Sequence, residues 1–107
     1  MFEFNSKIKG GSFIEDGELK LRALTKEQKL KLVREKDNKF DNNAIAVYNN
    51  EIKLGYIPKE TAVKLVKDVE DDRVSCYVSE VTGGTVDKKN VGCNILIKVD
   101  RLDDKQK

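Results

Sequence analysis

Residues 34–49 read REKDNKFDNNAIAVYN, the densest cluster of chemically competent side chains in the chain. Carboxylates (Glu35, Asp37, Asp41), amides (Asn38, Asn42, Asn43) and one aromatic, Phe40, crowd into nine residues. Calcium binding is the first chemistry to test, because Asp37, Asp41 and Asn43 are close in sequence. A calcium loop needs an acid or amide at its third position, glycine at its sixth and a bidentate glutamate at its twelfth. Lys39, Asn42 and Tyr48 occupy those places, so the template fails. Nucleophilic catalysis fails too. The chain has no histidine, which removes Ser-His and Cys-His pairs and imidazole metal ligands. Its two cysteines, Cys76 and Cys93, are too few and too far apart in sequence for a thiolate zinc site. What remains is recognition: hydrogen-bonding carboxylates and amides around an aromatic ring. Phe40 is either a binding surface or a lid folded back on the core, and Asp41 and Asn43 are either ligand contacts or turn formers.

The elements that must position this cluster are mostly strands. Alternating or β-branched runs occur at 29–33 (KLKLV), 44–49 (AIAVYN), 52–57 (IKLGYI), 74–81 (VSCYVSEV) and 94–99 (NILIKV). In the second of these, Ile45 and Val47 point one way and Ala44, Ala46 and Tyr48 the other. KIKGGSFI and ELKLRAL read as weaker strands, and LTKEQK as a short turn. Gly10-Gly11, Asp16-Gly17 and Gly83-Gly84 punctuate the pattern. Asn49-Asn50, between two alternating runs, predicts a tight hairpin because asparagine tolerates positive φ. One stretch has helical period. It begins at Pro58, and Ala62, Leu65, Val66 and Val69 form a single apolar stripe. That stripe packs on the sheet or, alternatively, binds a partner. Short strands with one helix predict a mainly β fold of about six strands, a small β-barrel or a strongly curled sheet carrying that helix.

Length and charge narrow the class. The 107 residues suit one domain, with a core over about 5–102 and a frayed tail at 103–107. No apolar stretch approaches the ~20 residues of a membrane span. The N-terminal sequence lacks a signal-peptide pattern. The expectation is a cytoplasmic protein with reduced thiols, a disulfide being the alternative. Net charge is only +2, but residues 1–67 hold 14 Lys/Arg against 10 Asp/Glu. A basic face built from Lys31, Lys36, Lys39, Lys53 and Lys59 is one reading, and ordinary solubilisation the other.

The stretch LVREKDNKFDNNAIAVYNNEIKLGYIPKETAVKL resembles the signature of the HIRAN domain family. That pattern runs apolar-x-Arg-Glu, Asn-Pro-Tyr-Asp-x-Asn-Ala-Ile-x-Val, Gly-Tyr-Ile-Pro, then a helix with an early alanine. Here the matching residues are Arg34-Glu35, Asn38 to Val47, Gly55-Tyr56-Ile57-Pro58 and Ala62. The resemblance implies an OB-like barrel that binds single-stranded DNA and holds a free 3′ end beside the Asn-Pro-Tyr-Asp loop. It implies no enzymatic activity and no cofactor, a context of DNA repair or replication-fork processing, and a helicase or nuclease as a partner protein. Carried over by residue, Phe40 becomes a ring stacked on a terminal base and Asp41 the acceptor of the terminal hydroxyl. Asn38 and Asn43 shape the loop, Tyr56 and Lys59 lie by the pocket, and Lys39 and Lys36 supply charge beside it. Phe13 falls near the family's aromatic pair. The sequence departs from the pattern at Lys39 (for proline), at Phe40 (for tyrosine) and at Ser12-Phe13, which offers one aromatic instead of two. A protein-interaction module on the same barrel is the alternative reading.

Overall fold

The computed structural model describes residues 2–9, 17–83 and 91–100, the side chains of 17–19 excepted. Six strands and two helices follow in the order β1 (Phe2–Lys7), α1 (Gly17–Arg22), β2 (Lys29–Arg34), β3 (Ile45–Asn49), β4 (Ile52–Tyr56), α2 (Lys59–Glu70), β5 (Val74–Thr82) and β6 (Gly92–Val99). The strands form one antiparallel sheet in the order β1-β6-β5-β2-β3-β4. The sheet is not closed by a ladder. Its two ends nevertheless meet at one point, where the Lys9 and Tyr56 amides each donate to the other's carbonyl at 2.7 Å. The curled, mainly β architecture is the one the alternating sequence predicts, and it is OB-like, as the resemblance implies.

Alternation produces the core directly. Along β6, Cys93, Ile95, Ile97 and Val99 turn inward, and Ile95, Ile97 and Val99 are fully buried. Ile45, Val47, Leu54, Cys76 and Val78 join them. Ala44 and Ala46 are also buried, so both faces of β3 are covered, although its side chains alternate as read. Helix α2 presents Ala62 and Leu65 to the core, with Val66 and Val69 packed against its margin. The predicted stripe is therefore a packing face. Pro58 caps this helix, where its missing N–H is not needed.

The β3–β4 turn is Asn50-Glu51, with Asn50 at φ 56° supplying the left-handed residue. Two readings need correction. ELKLRAL is not a strand, because α1 occupies its first part. Leu21 and Leu24, three residues apart, are both buried, while Ala23 between them is exposed; the helical spacing prevails over the apparent alternation. The strand assigned to KIKGGSFI begins earlier, as β1, because Phe4 packs against the core from the FEFNSK segment. Residues 10–14 of that run, and the tail at 103–107, lie outside the described residues.

Candidate nucleic-acid interface

The loop between β2 and β3 is built by its own polar side chains. Asn38 Oδ1 accepts hydrogen bonds from the backbone N–H of Phe40 (2.9 Å) and of Asp41 (3.0 Å). Asp41 Oδ1 accepts from Asn43 N–H (2.9 Å), and Asp41 carbonyl from Ala44 N–H (3.0 Å). These are consecutive side-chain-to-backbone turns, the reason Asn and Asp are favoured there. Arg34 closes the far side, donating to Asn42 carbonyl and Asn43 Oδ1, both at 3.1 Å, and to Glu70 Oε1 at 2.8 Å. The loop is thus ordered without the proline that the family pattern places at Lys39.

A second network ties the loop to β4. Lys53 Nζ donates to Glu35 Oε2 (2.6 Å) and to the Tyr56 hydroxyl (2.5 Å). That hydroxyl donates to Glu35 Oε1 (2.8 Å), which also accepts from Asn38 Nδ2 (3.0 Å). Three residues apart on a regular strand, Lys53 and Tyr56 would point to opposite faces. A register irregularity prevents this: Tyr48 pairs with Lys53 and Val47 with Gly55, leaving Leu54 as the extra residue. Partial burial pushes the Glu35 carboxyl up, but hydrogen bonds from Lys53, Asn38 and Tyr56 outweigh it and hold it below the usual glutamate range. Burial likewise pulls the Lys53 ammonium down, and bonds to Glu35 and Tyr56 raise it above the usual value. Both groups are charged at neutral pH.

Gly55 fixes the position of Tyr56. Its φ of 153° disfavours a side chain, and an added Cβ would overlap Lys9 carbonyl and come within 2.7 Å of Ile8 Cγ2. Close approach at Gly55 lets Lys9 and Tyr56 pair, and that contact walls a cavity of about 320 Å³. Asn38, Asp41, Tyr56 and Lys59 border it over an apolar floor of Ala44, Ile57 and Pro58. Asp41 Oδ2 accepts no hydrogen bond, and Lys59 makes no ion pair, among the described residues.

Four residues singled out in sequence therefore meet at one cavity: Asn38, Asp41, Tyr56 and Lys59. Phe40 stands beside them on the loop with 94% of its surface exposed, so it is not a lid on the core. Lys39 is also exposed. Asn43 supports the loop through Arg34 rather than lining the cavity. Lys36 is drawn elsewhere, to Glu70 Oε2 at 2.7 Å. Glu70 ends α2 and Lys59 begins it, about 16 Å apart at 1.5 Å per residue. Lys36 and Arg34 hold the Glu70 carboxyl below its usual range. Lys53, counted toward a basic face, is neutralised by Glu35. Phe13 lies outside the described residues. The sequence reading did not assign Glu35 or Lys9 to the site; the Arg-Glu element of the motif was the available signal for Glu35, and Lys9 had none.

Catalytic chemistry finds no support among these groups. Burial pushes the Cys76 thiol up to about 12, with Cys93 adding to the effect, and the Cys93 thiol up to about 11. Both are free and buried, hence inert. Among the described residues no cluster of three acids or thiols could hold a metal, and no helix is long and apolar enough to cross a membrane.

An OB-like sheet with a small, largely apolar cavity under an exposed aromatic loop defines a ligand-recognition module. The HIRAN domain family model matches residues 1–100, and the chain belongs to that family. As a HIRAN domain it is a nucleic-acid-binding module. Two solved structures share the fold. The HIRAN domain of human HLTF aligns at a TM-score of 0.70 and 16% identity, over 97% of this chain and 80% of that one. A protein from Lactobacillus plantarum aligns at 0.68 and 19%, over 91% and 99%. No curated protein matches the sequence significantly.

Proposed function

We propose that this domain binds single-stranded DNA by a free 3′ end. The observation that carries the reading is the meeting, at one cavity, of an Asp41 oxygen and a Lys59 ammonium that have no partner among the described residues, beside a ring that is 94% exposed. A carboxylate accepts a hydrogen bond from a terminal hydroxyl and repels a phosphate, so it separates an end from an interior linkage. A lysine nearby neutralises the last internucleotide phosphate. Phe40 offers a face to a base without regard to sequence. At about 320 Å³ the cavity is at the small end of ligand sites, which span roughly 300–1,000 Å³. That suits one terminal nucleotide and excludes a duplex. Exposed DNA ends arise in repair and at replication forks, where a helicase or nuclease would be the partner protein.

The same exposed ring also suits a protein-docking role, which makes the end preference the deciding measurement. Fluorescence anisotropy should show tighter binding of an oligonucleotide with a 3′ hydroxyl than of its 3′-phosphorylated counterpart. Asp41→Asn should narrow that gap, and rising salt should weaken both. Equal, salt-insensitive binding of both ends would sink the end-binding reading in favour of protein docking.

A further inference from the structure

We infer that the strand behind the held end runs across the outer face of β1, β6 and β5, and that Tyr77 is a second stacking platform there. The inference rests on the end-binding reading above. Three cavities share walls in sequence along this path. Lys9 and Pro58 line both the end cavity and a polar cavity of about 850 Å³ beside it. Lys26 and Ser79 line both that cavity and a third, of about 510 Å³, which Tyr77 and Leu96 floor.

Strand register shows that the path lies on one surface. Lys7, Asn94 and Glu80 form one cross-strand row, and Asn5, Leu96 and Tyr77 the next. The residues between them, Ile95 and Val78, are buried on the opposite face. Successive outward residues on a strand are ~7 Å apart and neighbouring strands ~4.8 Å, so the rows form a continuous floor. Tyr77 is half-buried, with the Lys98 ammonium 5.2 Å from its ring centroid. An aromatic ring on an open sheet face is the arrangement that stacks a base, and Lys98 leaves its place over the ring to meet that base's phosphate.

Charge along the path is mixed. Lys7, Lys9, Lys26 and Lys98 border it, and so do Glu27, Glu60 and Glu80. Stacking rather than phosphate neutralisation must therefore supply most of the added affinity, and the salt dependence should steepen little with length. An occupied path would bring the footprint to the low end of the roughly 4–16 nucleotides typical of an OB fold.

Oligothymidylates of two to eight nucleotides with free 3′ ends test this. Affinity should rise about tenfold or more from the dinucleotide to the six- or eight-mer, then level off. Tyr77→Leu keeps apolar bulk but loses the aromatic face. It should weaken the eight-mer about fivefold or more and leave the dinucleotide unchanged. Glu80→Lys should strengthen the eight-mer alone, a gain that misfolding cannot produce. Flat length dependence with a retained 3′-hydroxyl preference would overturn the path and spare the end pocket. Length dependence that both variants leave untouched would overturn it equally. Tight, Tyr77-dependent binding of the eight-mer with no preference between ends would keep the path and overturn the end-binding reading instead.

Discussion

The β5–β6 and β3–β4 hairpins are both antiparallel pairs with one register irregularity each, yet they do different work. In the first, β6 alternates buried and half-buried residues over its whole length. The shift between Val78 and Glu80 leaves that pattern intact. In the second, the extra residue at Leu54 brings two long polar side chains, Lys53 and Tyr56, to one acid, Glu35. The first hairpin stores its stability in apolar burial. The second uses part of its sheet to hold a polar loop at a fixed place, and stability there depends on hydrogen bonds. Apolar burial is indifferent to pH and carries no direction, whereas the hydrogen-bonded network is directional and titrates. The lesson is that a small domain can separate what keeps it folded from what aims its ligand site.

The largest effect should come from breaking the apolar hairpin. Ile97 is fully buried, flanked in the sheet by Phe4 of β1 and Cys76 of β5. Ile97→Ala should cost about 2–5 kcal/mol, the range for large-to-alanine core truncations. Denaturant unfolding measures this directly. Under conditions where the variant stays folded, its preference between 3′-hydroxyl and 3′-phosphate ends should match the unaltered protein. A changed end preference would mean the two hairpins are coupled, and the separation drawn above would fail.

Strand alternation made the apolar hairpin legible in the sequence, and the 3.6-residue period did the same for α2. The signature 38–47 marked the loop, and the Gly-Tyr-Ile-Pro element placed Tyr56 and Lys59 near it. The Lys9 wall was not legible. It exists because Gly55 lets two distant backbones touch, and no local pattern encodes a contact between residues 9 and 56. The setting of Lys53 was not legible for a related reason. Its charge was visible, but its partner was not, since the bulge that aims it at Glu35 leaves IKLGYI looking like any alternating strand. The Lys36–Glu70 pair was not legible because the two are 34 positions apart and only the packing of α2 on β2 brings them together. The error in α1 is of another kind. Alternate leucines in a short segment fit a strand or a helix equally, and tertiary packing decides.

A smaller effect is expected from breaking the polar network. Glu35→Gln keeps the shape but removes the charge that Lys53 faces, and should cost about 1–2 kcal/mol at neutral pH. The pH dependence identifies the cause. Hydrogen bonds hold the folded Glu35 carboxyl below its usual value, so its contribution is complete above the unfolded carboxylate range, about pH 4.3. That contribution is lost as pH falls through the lower folded value. The gap in stability between the two proteins should therefore be constant near neutrality and close in acid. Lys53 is raised, so the gap should also close as pH climbs past the ordinary lysine range, about 10.4. Thermal melting from acid to alkaline pH checks both limbs. A gap that persists at low pH would show that the substituted amide disturbs packing rather than charge. In the same variant the amide oxygen accepts more weakly from Asn38 Nδ2 than the carboxylate does, and end discrimination should fall with it.

The smallest effect on stability should come from the residue with the most exposed ring. Phe40 makes no core contact that burial could reward, since 94% of its surface is open. The turn around it is held by Asn38 Oδ1 through backbone N–H groups, which any residue at 40 except proline supplies. Phe40→Ala should therefore leave unfolding within about 0.5 kcal/mol of the parent. An exposed aromatic that contributes nothing to folding still carries a solvation penalty, and a ligand that stacks on it relieves that penalty. The same substitution should accordingly lose about 1–3 kcal/mol of affinity for single-stranded oligonucleotides, with little dependence on sequence. Parallel measurement of melting and anisotropy on one preparation separates the two quantities. If melting drops by several degrees while oligonucleotide affinity holds, the ring packs in solution and the contrast between a folding hairpin and an aiming loop collapses at its tip. If both hold, Phe40 faces a protein, and the search for its partner should begin at that ring.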